Sequence, residues 1–269
     1  MAATPAAPAA PITLSHCRPL GAIRPRLGGY ARAAWQDRGM SVDTVPLAAA
    51  AHRTRTGDLW LFRGRSTADR LIQTLTNAPV NHVGVAVVLD DMPPLLWHAE
   101  MGRALPDVWT GRHQRGVQLH DLESAVRQWA GPYGQRAWFR QISPEVGGEH
   151  EDALLESIAR LNGVSFPSAG RLTARWARGR WAARGKRPGV TGRSDRPGSD
   201  AGAAMRMEAA YCAEVVGVTL EAMGVLLPAG EASWYDPGRF WSGDDLPLAP
   251  GWDYGREIAV TVTRPGRPR

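Results

Sequence analysis

Cysteine is scarce in this chain: 269 residues contain two, Cys17 and Cys212. A disulfide scaffold is excluded as the source of stability, and a reducing compartment, the cytoplasm, is the expectation. No run approaches the ~20 apolar residues of a membrane-spanning helix. Acidic side chains are missing from the first 36 positions, Asp37 being the first. Residues 1–48 are instead rich in Ala, Pro and Arg. That composition suits an acid-poor transit peptide or a disordered tail; the tail is the preferred reading, and the stretch is set aside from fold reasoning. Cys17 falls inside it, which argues against a Cys17–Cys212 bridge. C-x-x-C and H-x-x-x-H spacings are also missing, so no metal and no other cofactor is expected.

What is present is an ordinary apolar fraction, 43%, enough for a packed core. The net charge of +6 is unevenly spread. Residues 171–197 hold nine Lys/Arg and one Asp, a local +8, so the remainder carries −2. This basic insert, bounded at 171–200, contains Gly and Pro and interleaves Trp176 and Trp181 with arginines. A solvated disordered insert ranks first, an anionic membrane contact second, and nucleic acid last, since no nucleic-acid-binding motif accompanies it.

Between the tails, residues 49–263 read as one domain, with a basic tail at 264–269. Gly57-Asp58 turns into the strand Leu59-Trp60-Leu61-Phe62. Residues 66–75 have helix spacing. Asn81 to Leu89 is β-branched and continuous, as expected of a strand buried on both faces. Asp90-Asp91-Met92-Pro93-Pro94 turns the chain into Leu95-Leu96-Trp97-His98-Ala99-Glu100, its antiparallel partner. With period-2 alternation His82, His98 and Glu100 can all face one side; a turn centred on Asp90 or Asp91 sets His82 opposite His98 or Glu100, a second polar group in cross-strand reach. Further strands are expected at 116–119, 137–142 and 257–262, and helices at 122–129 and 149–161. His113 and His120 have no partner by spacing.

Tyr211-Cys212-Ala213-Glu214-Val215-Val216 opens an apolar, helix-periodic run. A thiol at a helix head lies in the positive end of the macrodipole, where the thiolate is favoured. A small buried core residue is the competing reading of Cys212. A cysteine hydrolase needs a thiolate, a base and a group that orients the base. Cys212, His82, and His98 or Glu100 supply those types.

Three blocks, Thr56-Gly57-Asp58-Leu59, Asn81-His82-Val83-Gly84-Val85 and Tyr211-Cys212-Ala213-Glu214-Val215, resemble the signature blocks of the circularly permuted NlpC-type (papain-like) cysteine hydrolases, the YiiX/YebB-like branch above all. Lecithin:retinol acyltransferase is a relative of that family. The corner Leu161-Asn162-Gly163 before Phe166 and the late turn Tyr235-Asp236-Pro237-Gly238-Arg239-Phe240 are similar to secondary blocks. The resemblance implies an α+β fold, a small antiparallel sheet packed on a nucleophile-bearing helix. It implies Cys212 as nucleophile and His82 as base. His98 falls on the slot of the third polar residue, and Glu100, two residues on, is the stronger electrostatic partner for an imidazolium. The backbone N–H of Cys212 is the implied oxyanion donor, with Tyr211 beside it. Two departures stand out: Ala213 replaces the usual Ser, and Val164-Ser165 replaces the usual Pro-Tyr.

The expected function is a cysteine hydrolase, amidase- or peptidase-like, acting through a thioester acyl-enzyme on a small-molecule, peptide or lipid substrate. The alternatives are a lipid acyltransferase or phospholipase at a membrane surface, and a binding module on the same fold with an inert thiol.

Overall fold

Strand β1 (Thr44–Pro46) and helix α1 (Leu47–Arg53) open the described chain. They precede the point where turn chemistry places the ordered body, because an Ala-rich run, Leu47 to Ala51, carries little strand or turn signal yet buries Leu47, Ala50 and Ala51. The computed structural model describes residues 44–64, 79–165, 200–230, 232–244 and 246–263, with side chains omitted at 200–210 and 233. The expected helix at 66–75, residues 1–43 of the N-terminal tail, 171–199 of the basic insert and the tail at 264–269 lie outside the described residues, whereas 44–48, expected in the disordered tail, are strand and helix. Those described belong to one compact unit.

The remaining strands are β2 (Leu59–Arg63), β3 (His82–Val87), β4 (Leu95–Glu100), β5 (Gly116–Asp121), β6 (Arg136–Arg140), β7 (Ile142–Ser143), β8 (Asp253–Tyr254) and β9 (Ile258–Thr261). The helices are α2 (Leu122–Ala130), α3 (Gly148–Leu161) and α4 (Asp200–Ala222). Seven strands form one sheet in the order β1-β9-β6-β2-β3-β4-β5. Every pairing is antiparallel except β1 with β9. The fold is α+β, with a sheet larger than the small one expected, because β1, β5 and β9 all join it. Among the described residues no helix is long and apolar enough to cross a membrane.

Both faces of the sheet are covered. Leu59, Leu61, Val83, Val85, Trp97, Leu119 and Trp138 face α3 and α4. Trp60, Phe62, Ala86, Leu96, Ala137 and Phe139 face α1 and α2. Burial on both sides explains why β2, β3 and β4 read as continuous apolar runs. Each strand alternates strictly, so neighbouring residues belong to different layers.

Helix α2 follows from its spacing, with Leu122, Ala125, Val126 and Trp129 buried on one stripe. Asp121 caps it by accepting from Ser124 N at 2.8 Å. Helix α4 is different: Tyr211 through Gly217 are all buried, so this helix is wrapped on every side. The sheet covers one side and the 3-10 turn Pro237–Phe240 with Tyr235 covers another. A Cβ on Gly217 would come within 2.3 Å of the Tyr235 ring, so only glycine admits that ring. Asp58 links three segments, accepting from Arg55 N and Ile142 N.

Candidate functional site

The β3–β4 hairpin builds the site. Its register pairs Val85 with Trp97 and Ala86 with Leu96. Continued toward the open end, it sets Gly84 opposite His98. A Cβ on Gly84 would stand 2.8 Å from Leu96 Cδ1 and 3.2 Å from His98 Cβ. With hydrogen there instead, the His98 ring lies over β3 and reaches its diagonal neighbour His82. His82 Nε2 and His98 Nδ1 are 2.9 Å apart.

The series continues across β4 into β5, where Leu96 pairs with His120. His98 Nε2 and His120 Nδ1 are 3.0 Å apart. Three imidazoles are thus joined ring to ring. His82 and His98 are fully buried and His120 is 1% exposed. The two ends of the series, His82 Nδ1 and His120 Nε2, are buried without a hydrogen-bond partner among the described residues. Each shared contact holds one proton between two nitrogens, so a proton added at one end and lost from the other needs only tautomer exchange.

Glu100 completes the cluster. Its Oε2 lies 4.0 Å from His98 Nε2 and 3.8 Å from His120 Nδ1. Its Oε1 accepts the Tyr133 hydroxyl at 2.8 Å. Tyr133 is 39% exposed, so it is where the cluster approaches solvent. Gly102 allows the meeting, since a Cβ there would collide with Glu100 Oε1 and the Tyr133 hydroxyl. Trp129 from α2 forms the roof, its ring stacked on His82 at 3.9 Å.

Burial sets the protonation states. Desolvation drives the His82 pKa down to about 3. Desolvation also lowers His120, to about 4, against the pull of Asp107. His98 is held well below its ordinary value by desolvation, then by its two histidine neighbours. Desolvation raises Glu100, with the Tyr133 hydrogen bond opposing it. All three imidazoles are therefore neutral at pH 7.

Cys212 is not part of this cluster. It is fully buried in the other layer, among Val83, Val85, Trp97 and Val216. The Trp97 indole donates to Thr219 on α4 at 3.1 Å, which fixes that side of β4 toward α4. His82 and His98, one residue out of step with Val83 and Trp97, therefore face away from it. The expected Cys212–His82 pair is corrected on this point: the two residues lie on opposite faces of the sheet.

The helix-head expectation is corrected as well. Helix α4 begins at Asp200, twelve residues before Cys212. A backbone N–H so deep in a helix is bonded to the preceding turn and is not available to an oxyanion. The sequence misses this because 200–210, Asp-Ala-Gly-Ala-Ala-Met-Arg-Met-Glu-Ala-Ala, has helix propensity but no apolar stripe. Tyr211 is buried beside Cys212 in that same layer.

His120 is the residue that sequence reasoning misses. Its signal is the alternation of Gln118 and His120 along β5, but only the β4–β5 register reveals their partners. Tyr133 and Trp129 escape for the same reason, since α2 and its exit loop must dock before either meets the cluster.

No protein-family model matches the sequence, and no curated protein matches it. Among solved structures, the metalloprotein YiiX (DUF1105) from Escherichia coli O157:H7 aligns over 76% of this chain and 97% of its own. The identity is 16% and the TM-score 0.39.

Proposed function

We propose that this chain is a hydrolase of amide or ester bonds on a permuted papain-like scaffold, with the series His82–His98–His120 and Glu100 as its proton-transfer machinery. The observation that carries the reading is the buried ring-to-ring series itself. Four ionisable side chains gathered in an apolar layer cost stability that packing alone does not require, and such clusters concentrate at functional sites. The imidazoles are in the free-base form that a general base needs, although desolvation weakens them as bases. In this reading water is the nucleophile. Its oxygen attacks the carbonyl carbon, its proton passes to the imidazole series, and the series returns a proton to the leaving amine or alcohol. Tyr133 marks the side from which substrate approaches.

A thiol reading, with Cys212 attacking and a thioester intermediate, is favoured by the order of the three sequence blocks. It requires Cys212 to reach the face of the sheet that bears His82. One comparison separates the two. Hydrolysis of p-nitrophenyl acyl esters and of a peptide amide series is measured for wild type, Cys212→Ala and His98→Gln. The histidine reading expects Cys212→Ala to keep its rate and His98→Gln to lose about 10²–10⁴-fold, the range of general acid–base catalysis. Loss of turnover in Cys212→Ala, with a thioester trapped in wild type, would overturn it in favour of the thiol.

A further inference from the structure

We infer that His98 Nε2, His120 Nδ1 and Glu100 Oε2 form a binding site for one divalent transition-metal ion of the zinc class. The inference rests on the proposed function in that it gives the same cluster a cofactor; with the ion bound, the His98–His120 contact is taken by the metal and His82–His98 is the proton path that remains. It departs from the expectation of no metal because the three ligands come from two strands and from no H-x-x-x-H spacing.

The geometry is specific. The three atoms are separated by 3.0, 3.8 and 4.0 Å. Those lengths form an acute triangle whose circumcentre lies about 2.1 Å from every corner. Zinc bonds to imidazole nitrogen and carboxylate oxygen run roughly 2.0–2.2 Å. One ion at that point satisfies all three ligands without moving a strand. It replaces the shared proton between His98 and His120 with two lone pairs directed at the metal.

The surroundings match what such an ion needs. Metal-bound imidazoles donate their other N–H to a fixed partner. With Nε2 on the ion, His98 carries its proton on Nδ1 and donates it to His82 Nε2 at 2.9 Å. The free oxygen of a ligating carboxylate is hydrogen-bonded in turn, and Glu100 Oε1 accepts from Tyr133. A further observation points the same way. Gln118, the register partner of His98, is fully buried on this face, and its amide oxygen has no hydrogen-bond partner among the described residues. Two imidazoles and one carboxylate leave a coordination position open, the arrangement of catalytic zinc sites. Such an ion supplies a Lewis acid for a carbonyl or for water.

The test titrates chelator-treated full-length protein with Zn²⁺, and with Co²⁺ as a spectroscopic substitute, against a competing chelator. Wild type and Cys212→Ala are expected to bind one ion with equal affinity. His120→Asn and Glu100→Gln are expected to weaken binding by at least ~100-fold, and His82→Gln by about 10–100-fold through the lost outer partner. Equal affinity in His120→Asn and Glu100→Gln, or no stoichiometric binding to wild type, overturns the site. If His120→Asn fails to fold by circular dichroism, X-ray absorption on the wild-type zinc complex decides. Two imidazoles and a carboxylate support the assignment, and a sulfur ligand refutes it. Binding is read without substrate, so the two proposals fail separately. A protein that binds the ion at these ligands yet hydrolyses nothing defeats the hydrolase reading alone. One that hydrolyses without binding the ion defeats the metal site alone.

Discussion

The two faces of one sheet have been put to different uses. Toward α4, strands β3 and β4 present Val83, Val85, Trp97 and Ala99, and Cys212 packs among them as a small buried side chain. Toward α2, the same strands present His82, Gly84, His98 and Glu100 under Trp129. Both faces exclude water to the same degree. The α2 side gathers three imidazoles and a carboxyl in contact, and there exclusion keeps the imidazoles neutral and raises the pKa of the carboxyl. Burial alone does not make a reactive site; the layer that carries the polar alternation does.

Acid offers the largest way to break that contrast. A histidine whose folded pKa lies below its unfolded value of about 6.5 leaves the unfolded chain binding more protons. Stability is then highest above pH 6.5 and falls as pH drops toward the folded values, about 4 for His120 and about 3 for His82. Glu100 is raised, and Asp58 is raised to about 6 by desolvation; both act in the opposite direction. The three histidines outweigh them. For metal-free protein, thermal unfolding followed by circular dichroism should show a melting temperature that falls steeply between pH 6.5 and 4. Cys212→Ala should leave the slope of that profile unchanged, since Cys212 lies in the other layer from the three histidines. A flat profile would mean that the histidines are protonated in the fold.

Trp129→Ala removes the roof of the polar face. Large-to-small changes at a buried tryptophan cost about 3–5 kcal/mol. Denaturant unfolding should report that loss, and NMR titration should find the His82 pKa moving up toward its ordinary value as water enters. A destabilised protein with an unmoved His82 would show that Trp129 does not set its environment.

Gly84→Ala sharpens the comparison from inside the sheet. The added methyl meets Leu96 and His98 on the polar face only. Overpacking of this kind costs about 1–3 kcal/mol, and the His82–His98 bond should lengthen. The expected signature is a shift of the His98 ring resonances with those of Trp97, on the other face, nearly unchanged.

Tyr133→Phe is the mildest test. It deletes one hydrogen bond to Glu100, for about 1 kcal/mol. That bond lowers the Glu100 pKa, so its loss should raise it further, as carbon-13 titration of the carboxyl would report. An unchanged titration would detach Tyr133 from the cluster.

Much of this was legible in the residues. The hairpin β3–β4 follows from β-branched runs around Asp90-Asp91-Met92-Pro93-Pro94, and α2 and α3 follow from their apolar stripes. Strict alternation places His98 and Glu100 on one side, because the strand period is two, and the hairpin register brings His82 to the same side. The register that stands Gly84 beside His98, where only a hydrogen fits, was fixed by the structure. The sequence could not determine which layer α4 occupies. Val83 and His82 are both plausible neighbours for a helix, and the choice depends on docking across more than 100 residues, through contacts such as Trp97 with Thr219. Tertiary packing alone decided that Cys212 lies across the sheet from the histidines. Packing likewise brought His120 beside His98, since strand register between β4 and β5 is set by the faces they bury and not by any signal within either strand.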